Sequence, residues 1–165
     1  MTCYALILNK IDQRLQQILV LLLVLLVVDV SWQVLTRFIL PQPSSFTEEL
    51  ARFLLIWLSL LGGSYAYRQN LHLGFDLVIK YLPTSTRAWI QRFNCLLIAI
   101  FAIAILIVGG TKLVILTWIL EQHSPVLNIP MAAVYLVIPL SGILFLLFSI
   151  ESFFSVNDIA IDKET

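Results

Sequence analysis

The chain is 165 residues long, 60% hydrophobic and 12% charged, with ten basic against ten acidic side chains and a mean hydropathy of +0.96. That apolar share lies far above a soluble domain's, so the composition specifies an integral membrane protein and leaves no room for a soluble domain beside it. Zero net charge offers no basic surface to nucleic acid and nothing to an acidic soluble partner.

Four apolar runs, about 15–40, 50–67, 89–120 and 131–154, reach or approach the ~18–20 residues that cross a bilayer as a helix. Together with an amphipathic stretch over about 69–82, they predict an all-α integral membrane fold. Its expected form is a single membrane domain over 1–165, with four transmembrane helices, a cytoplasmic-side interfacial helix and both termini cytoplasmic. The orientation comes from the basic residues: Lys10 and Arg14 precede the first run, and Arg68, Lys80, Arg87 and Arg92 lie between the second and third. The other connections carry only Arg37, Arg52 and Lys112, and cytoplasmic loops are the ones enriched in Lys and Arg. The first run follows basic residues as a secretory signal does, but it is too long and lacks a small-x-small cleavage site, so it reads as an uncleaved span. Cys3 and Cys95 form no C-x-x-C pair and fall near the same inner side, which argues against a structural disulfide.

In the first span Asp29 is the one ionisable residue well inside an apolar stretch, roughly 15 Å deep at ~1.5 Å per residue. Gln33, Thr36 and Arg37 fall within about 80° of it on a helical wheel. This polar stripe must turn away from lipid. Two roles fit Asp29: a proton or cation site, or a hydrogen-bonded carboxylate between helices. The absence of another charge near the midplane favours the second.

Pro41-Gln42-Pro43 makes an outer turn, because proline interrupts a helix and biases the residue before it to extended conformations. Ser45 followed by Glu48 is a capping-box pattern, acids suit a helix start, and Glu48 precedes Arg52 in the favourable i,i+4 order. Capping and an exposed ion pair, worth ~0–1 kcal/mol, explain Glu48, Glu49 and Arg52 without any function. The other reading makes them a periplasmic-side docking site for a soluble protein.

At about 100° per residue, Glu48, Arg52, Ser59, Gly62, Gly63 and Ala66 share one face of the second span. Leu50, Phe53, Leu54, Trp57 and Leu61 lie opposite. Small residues let backbones approach in lipid. The Ser/Gly/Ala face, with Asp29 and Gln33 of the first span, is therefore expected to pack against protein, either within the chain or on a larger subunit. The bulky face is expected to meet lipid or a second partner.

Beyond it, Arg68, His72, Asp76 and Lys80 recur every fourth residue among apolar neighbours, the pattern of a helix lying on the cytoplasmic leaflet. Lys80, Arg87 and Arg92 then face lipid head groups. The third run is too long for the ~30 Å hydrocarbon core, and Gly109-Gly110 supplies a bend. The fourth contains Pro139 and Ser141-Gly142 and should be kinked and packed.

The series Trp32-Gln33, Arg37-Phe38, then Phe46-Thr47-Glu48-Glu49-Leu50-Ala51-Arg52, Trp57, Leu61-Gly62, Ala66, Arg68, His72 and Asp76 resembles the small membrane subunit of tripartite ATP-independent periplasmic (TRAP) transporters. Leu127-Asn128-Ile129-Pro130, Tyr135 and Ile138-Pro139 resemble the entry to that family's last helix, whereas Phe46 stands where many members have tryptophan. The resemblance implies a non-catalytic scaffold subunit of the bacterial inner membrane. Its partners would be a large membrane subunit, which holds the substrate and sodium sites, and a periplasmic substrate-binding protein. It implies organic acids as the solutes, and no cofactor or metal in this chain.

From the residues alone, a self-sufficient secondary transporter would need a polar midplane site in repeated halves, and only Asp29 and Gln33 are polar there. The competing reading is a stand-alone homo-oligomeric exporter in which Asp29 carries the coupled proton. A membrane redox enzyme is disfavoured: there is no C-x-x-C pair, and His72 and His123 are expected on opposite sides of the membrane.

Overall fold

Between Thr2 and Ile39 there is neither glycine nor proline, and lipid demands that every backbone N–H and C=O be satisfied within its own segment. The result is one long helix, α1 (Thr2–Ile39). The computed structural model describes residues 2–39, 45–69 and 84–161, with side chains for 8–39, 45–69, 89–90 and 92–153. Helix α2 is Ser45–Arg68 and α3 is Thr84–Phe101; a π-helical segment, Ala102–Gly109, joins α3 to α4 (Gly110–Ile119). After a loop come α5 (Met131–Tyr135) and α6 (Val137–Ile161). Among the described residues four helices are long and apolar enough to cross a membrane, Leu8–Ile39, Ser45–Arg68, Arg92–Ile119 and Met131–Phe153, and there is no strand. The interfacial helix expected over 69–82, with His72, Asp76 and Lys80, lies outside the described residues apart from Gln69, as does the side chain of Arg87.

The spans stand in a row. Helix α1 packs along α2, α2 along α6, and α6 along α3 and the π segment, while α4 packs on α5. Helix α6 is therefore inside the row and α1 is at its edge: 39% of the apolar window of the fourth span is buried, against 6% of the first. The core is a cluster of Leu8, Leu15, Leu61, Tyr67, Val137 and Phe148 where α1, α2 and α6 meet.

This core corrects the bulky half of the expected division of α2. Leu61, assigned to the outward bulky face, is 3% exposed, and the Trp57 indole N–H donates to the Val134 carbonyl at 3.2 Å. Ser59, assigned to the protein-facing side, is exposed, and Ala66 is half-buried. The gap between α1, α2 and α6 is filled by large side chains. The two glycines sit at its margins, where a Cβ at Gly62 would lie 3.8 Å from Leu19 and one at Gly63 3.5 Å from Phe145.

The expected bend also moves. Gly109 and Gly110 are both helical (φ −66°, ψ −45° and φ −63°, ψ −44°), and the irregularity lies before them in the wide-turned π segment. Gly110 serves contact instead: a Cβ there would fall 2.8 Å from Ile138 and 3.0 Å from Pro139, and one at Gly142 would fall 2.7 Å from Leu106 Cβ. The third and fourth spans thus touch backbone to backbone at two levels. The fourth span is interrupted at Leu136, next to Tyr135, whose carbonyl lies four residues before Pro139 and is the one that the proline ring displaces.

Candidate functional site

The side chains singled out in the sequence fall at three levels of the row: the end where α4 passes through a loop into α5, the interior, and the end where α2 stops.

At the loop end Glu48 pairs with Arg52 one turn along α2, both side chains exposed (56% and 71%). Glu49 does something the sequence does not announce. Its Oε2 accepts from the backbone amides of Val126 at 3.1 Å and Leu127 at 2.9 Å, tying the start of α2 to the turn between the third and fourth spans. That turn is heavily cross-braced. Ser124 N–H donates to Ile129 O at 2.9 Å, Asn128 N–H to Ser124 O at 3.1 Å, and Met131 N–H to Gln122 O at 2.8 Å. His123 and Pro130 form an isolated bridge. Glu121 and Asn128 sit at positive φ, 47° and 53°. Asn128 could be suspected from the sequence because asparagine tolerates the left-handed region; Glu121 could not.

In the interior, Asp29 and Thr36 are buried on α1 and Gln33 is half-buried, whereas Arg37 is exposed. The Thr36 hydroxyl donates back to Gln33 O at 2.9 Å, and Asp29 Oδ2 is buried without a hydrogen-bond partner. Asp12–Gln69 (3.1 Å between Oδ2 and Nε2) and Leu19–Gly62 define the antiparallel register of α1 and α2. Continued along the pair, that register brings Asp29 to the level of Arg52.

A second polar rung crosses the other side of the row. The Tyr67 hydroxyl donates to Cys95 Sγ (3.8 Å), the thiol to Ser152 Oγ (3.5 Å), and the Ser149 hydroxyl to Cys95 O (2.7 Å). Beside it a cavity of about 210 Å3 is lined by Cys95, Leu96, Ala99, Ser149, Ile150 and Phe153, and its surface is apolar.

At the far end, Arg68 closes α1, α2 and α6 together. Its Nε and Nη2 hold the two Glu151 carboxylate oxygens at 2.9 and 3.1 Å, and its Nη1 approaches Asp12 Oδ2 at 3.2 Å. The same group donates to Leu8 O (3.1 Å) and Asn9 Oδ1 (2.8 Å), and its guanidinium lies 5.3 Å from the Phe148 ring centre. Arg92 is half-buried on α3 nearby in sequence to Cys95. The sequence marked Arg68 as an anchor to the membrane interface; in the structure its contacts are to other helices. Asp12, Glu151 and Gln69 carried no recognisable signal, because their pairing spans 56 to 83 residues.

A family model described as tripartite ATP-independent periplasmic transporters, DctQ component, matches residues 26–157. A putative TRAP transporter small permease protein of Haemophilus influenzae is 27% identical over 139 residues, 81% of each chain. The sialic acid TRAP transporter small permease protein SiaQ of Vibrio cholerae is 32% identical over 81 residues, 48% of this chain and 47% of that protein. The C4-dicarboxylate TRAP transporter small permease protein DctQ of Rhodobacter capsulatus is 29% identical over 97 residues, 59% of this chain and 42% of its own.

Proposed function

Since the chain belongs to the DctQ component family of TRAP transporters and is a multi-pass protein of the bacterial inner membrane, we propose that it works there as a scaffold without chemistry of its own. It pairs with a large membrane subunit that carries the solute and the coupling sodium. Its loop end, with Glu48, Glu49 and Arg52, faces the periplasm and helps to seat a substrate-binding protein. The Arg68 end, the termini and the segment with His72, Asp76, Lys80, Arg87 and Arg92 belong to the cytoplasmic side. The exposed Ser59 of α2 and the open edge of α1 are available to the large subunit. The solute class is an organic acid, in keeping with the names of the sialic acid and C4-dicarboxylate relatives.

The observation that carries this reading is the dry middle of the row. Asp29 and Thr36 are buried on α1, Thr36 bonds back to Gln33 within the helix, and the cavity between α3 and α6 is apolar. A hydrophilic solute would need a continuous polar route, because every unsatisfied polar group in hydrocarbon costs several kcal/mol.

The reading is tested in proteoliposomes. Organic-acid uptake is expected only when this chain, its large subunit and the binding protein are all present with a sodium gradient. Uptake by this chain alone, or Asp29-dependent proton-coupled efflux by it alone, would overturn the proposal.

A further inference from the structure

The loop between Leu120 and Met131 is better organised than a connection needs to be. Its backbone is braced by three hydrogen bonds, two non-glycine residues adopt the left-handed region, and Ser124 is 3% exposed at its centre. A left-handed non-glycine residue costs roughly 1–2 kcal/mol and persists only where the surroundings over-determine it. The outside brace is Glu49. One carboxylate oxygen takes both amides at the turn, Val126 and Leu127, from a helix 77 and 78 residues away in the chain. The inner side of the turn therefore rests on Glu49. Its outer side presents Gln122, His123, Pro125 and Asn128 as exposed residues and Val126 at 48% exposure. The exposed Glu48–Arg52 pair borders it on α2.

We infer that the 121–128 loop is the surface on which the soluble binding protein docks, and that Glu49 is a positioning residue which holds this loop in its docking shape without touching the partner. The inference rests on the scaffold reading above and assigns different jobs to neighbouring acids: Glu48 and Arg52 meet the partner, and Glu49 faces inward. Val126 supplies a small apolar knob and Gln122, His123 and Asn128 a polar rim, the anatomy of a modest transient interface. A loop held in its bound form needs no ordering on contact, which raises affinity without adding contacts. Loss of Glu49 thus weakens docking and leaves the later transport steps alone.

The test uses the reconstituted heterodimer with the large subunit, titrated with its binding protein. Glu49→Ala is expected to raise the half-saturating binding-protein concentration about tenfold while the maximal uptake rate is kept. Glu49→Gln, whose amide oxygen still accepts from both N–H groups, is expected to stay within about threefold of the parent. Hydrogen exchange at the Val126 and Leu127 amides should quicken in Glu49→Ala only. Gln122→Arg, whose exposed side chain takes no part in the brace, should weaken docking with exchange at Val126 and Leu127 unchanged. An unchanged titration for Glu49→Ala, a lowered maximal rate at saturating binding protein, or loss of the large subunit on purification would each overturn the inference while leaving the scaffold reading in place. If the parent heterodimer takes up solute with no dependence on a binding protein, both fall.

Discussion

Arg68→Ala is expected to lower stability by about 2–4 kcal/mol, read as a clear fall in the thermal unfolding midpoint in detergent. Breaking one partner of a fully buried ion pair typically costs about 3–5 kcal/mol, because the charge left behind is uncompensated. Here two carboxylates are left. The side chains of Arg68 and Asp12 are only 12% and 17% exposed, and the 29% exposure of Glu151 trims the effect through solvent screening. Arg68→Lys should recover no more than half, since a single ammonium cannot reproduce the two-pronged hold on Glu151 together with the Asp12, Leu8 and Asn9 contacts. Arg68→Met combined with Asp12→Asn and Glu151→Gln should recover most of the loss, because no unpaired charge remains. A midpoint for Arg68→Ala equal to the parent's would show that the cluster contributes nothing to holding α1, α2 and α6 together.

The next largest effect is expected at the contact between the third and fourth spans. A Cβ at Gly142 would meet Leu106 Cβ at 2.7 Å, Ile107 Cγ1 at 2.9 Å and the Ile107 backbone nitrogen at 3.2 Å. Two of these neighbours are fixed to the backbone and cannot swing aside. Gly142→Ala should therefore force the helices apart at about 1–3 kcal/mol, and Gly142→Leu should go further. Gly109→Ala is the control. Gly109 is helical, and the nearest atom to its Cβ would be Ala104 O at 3.8 Å, so the substitution should be neutral or stabilising by up to about 1 kcal/mol. The check is the same unfolding measurement on both variants. Equal stability for Gly142→Leu and Gly109→Ala would refute close packing at this level. The contact also bears on function, because separating the two spans would splay the ends from which the loop on Glu49 is hung.

Some of this was legible from residue order and some was not. Span lengths are written in uninterrupted apolar runs, and the Glu48–Arg52 pair is local, so both could be read directly. The Arg68 cluster was only half legible. A lone arginine at a span boundary reads as an interface anchor, and nothing local to Asp12 or Glu151 announces a partner across the fold. The bulky side of α2 reads as outward-facing because in lipid large apolar side chains suit either lipid or protein, and nothing local to Leu61 or Trp57 shows which. Here Leu61 is buried in the three-helix junction and Trp57 donates to Val134 of α5, while Gly62 and Gly63 pack beside Leu19 and Phe145. Glu49 escaped for a further reason. A helix-start acid has an adequate local explanation, and the amides it serves belong to a turn whose shape depends on two later helices.

The row has a bearing on how the molecule is made. Synthesis runs from the N-terminus, so α1 and α2 emerge before the other spans described and can associate as a hairpin straight away. The third span has no such companion: its main lateral contact, α6, is translated after it. The wall is therefore completed only once α6 has left the ribosome, and a nascent chain halted after residue 119 would present the insertion machinery with a finished pair and a lone helix.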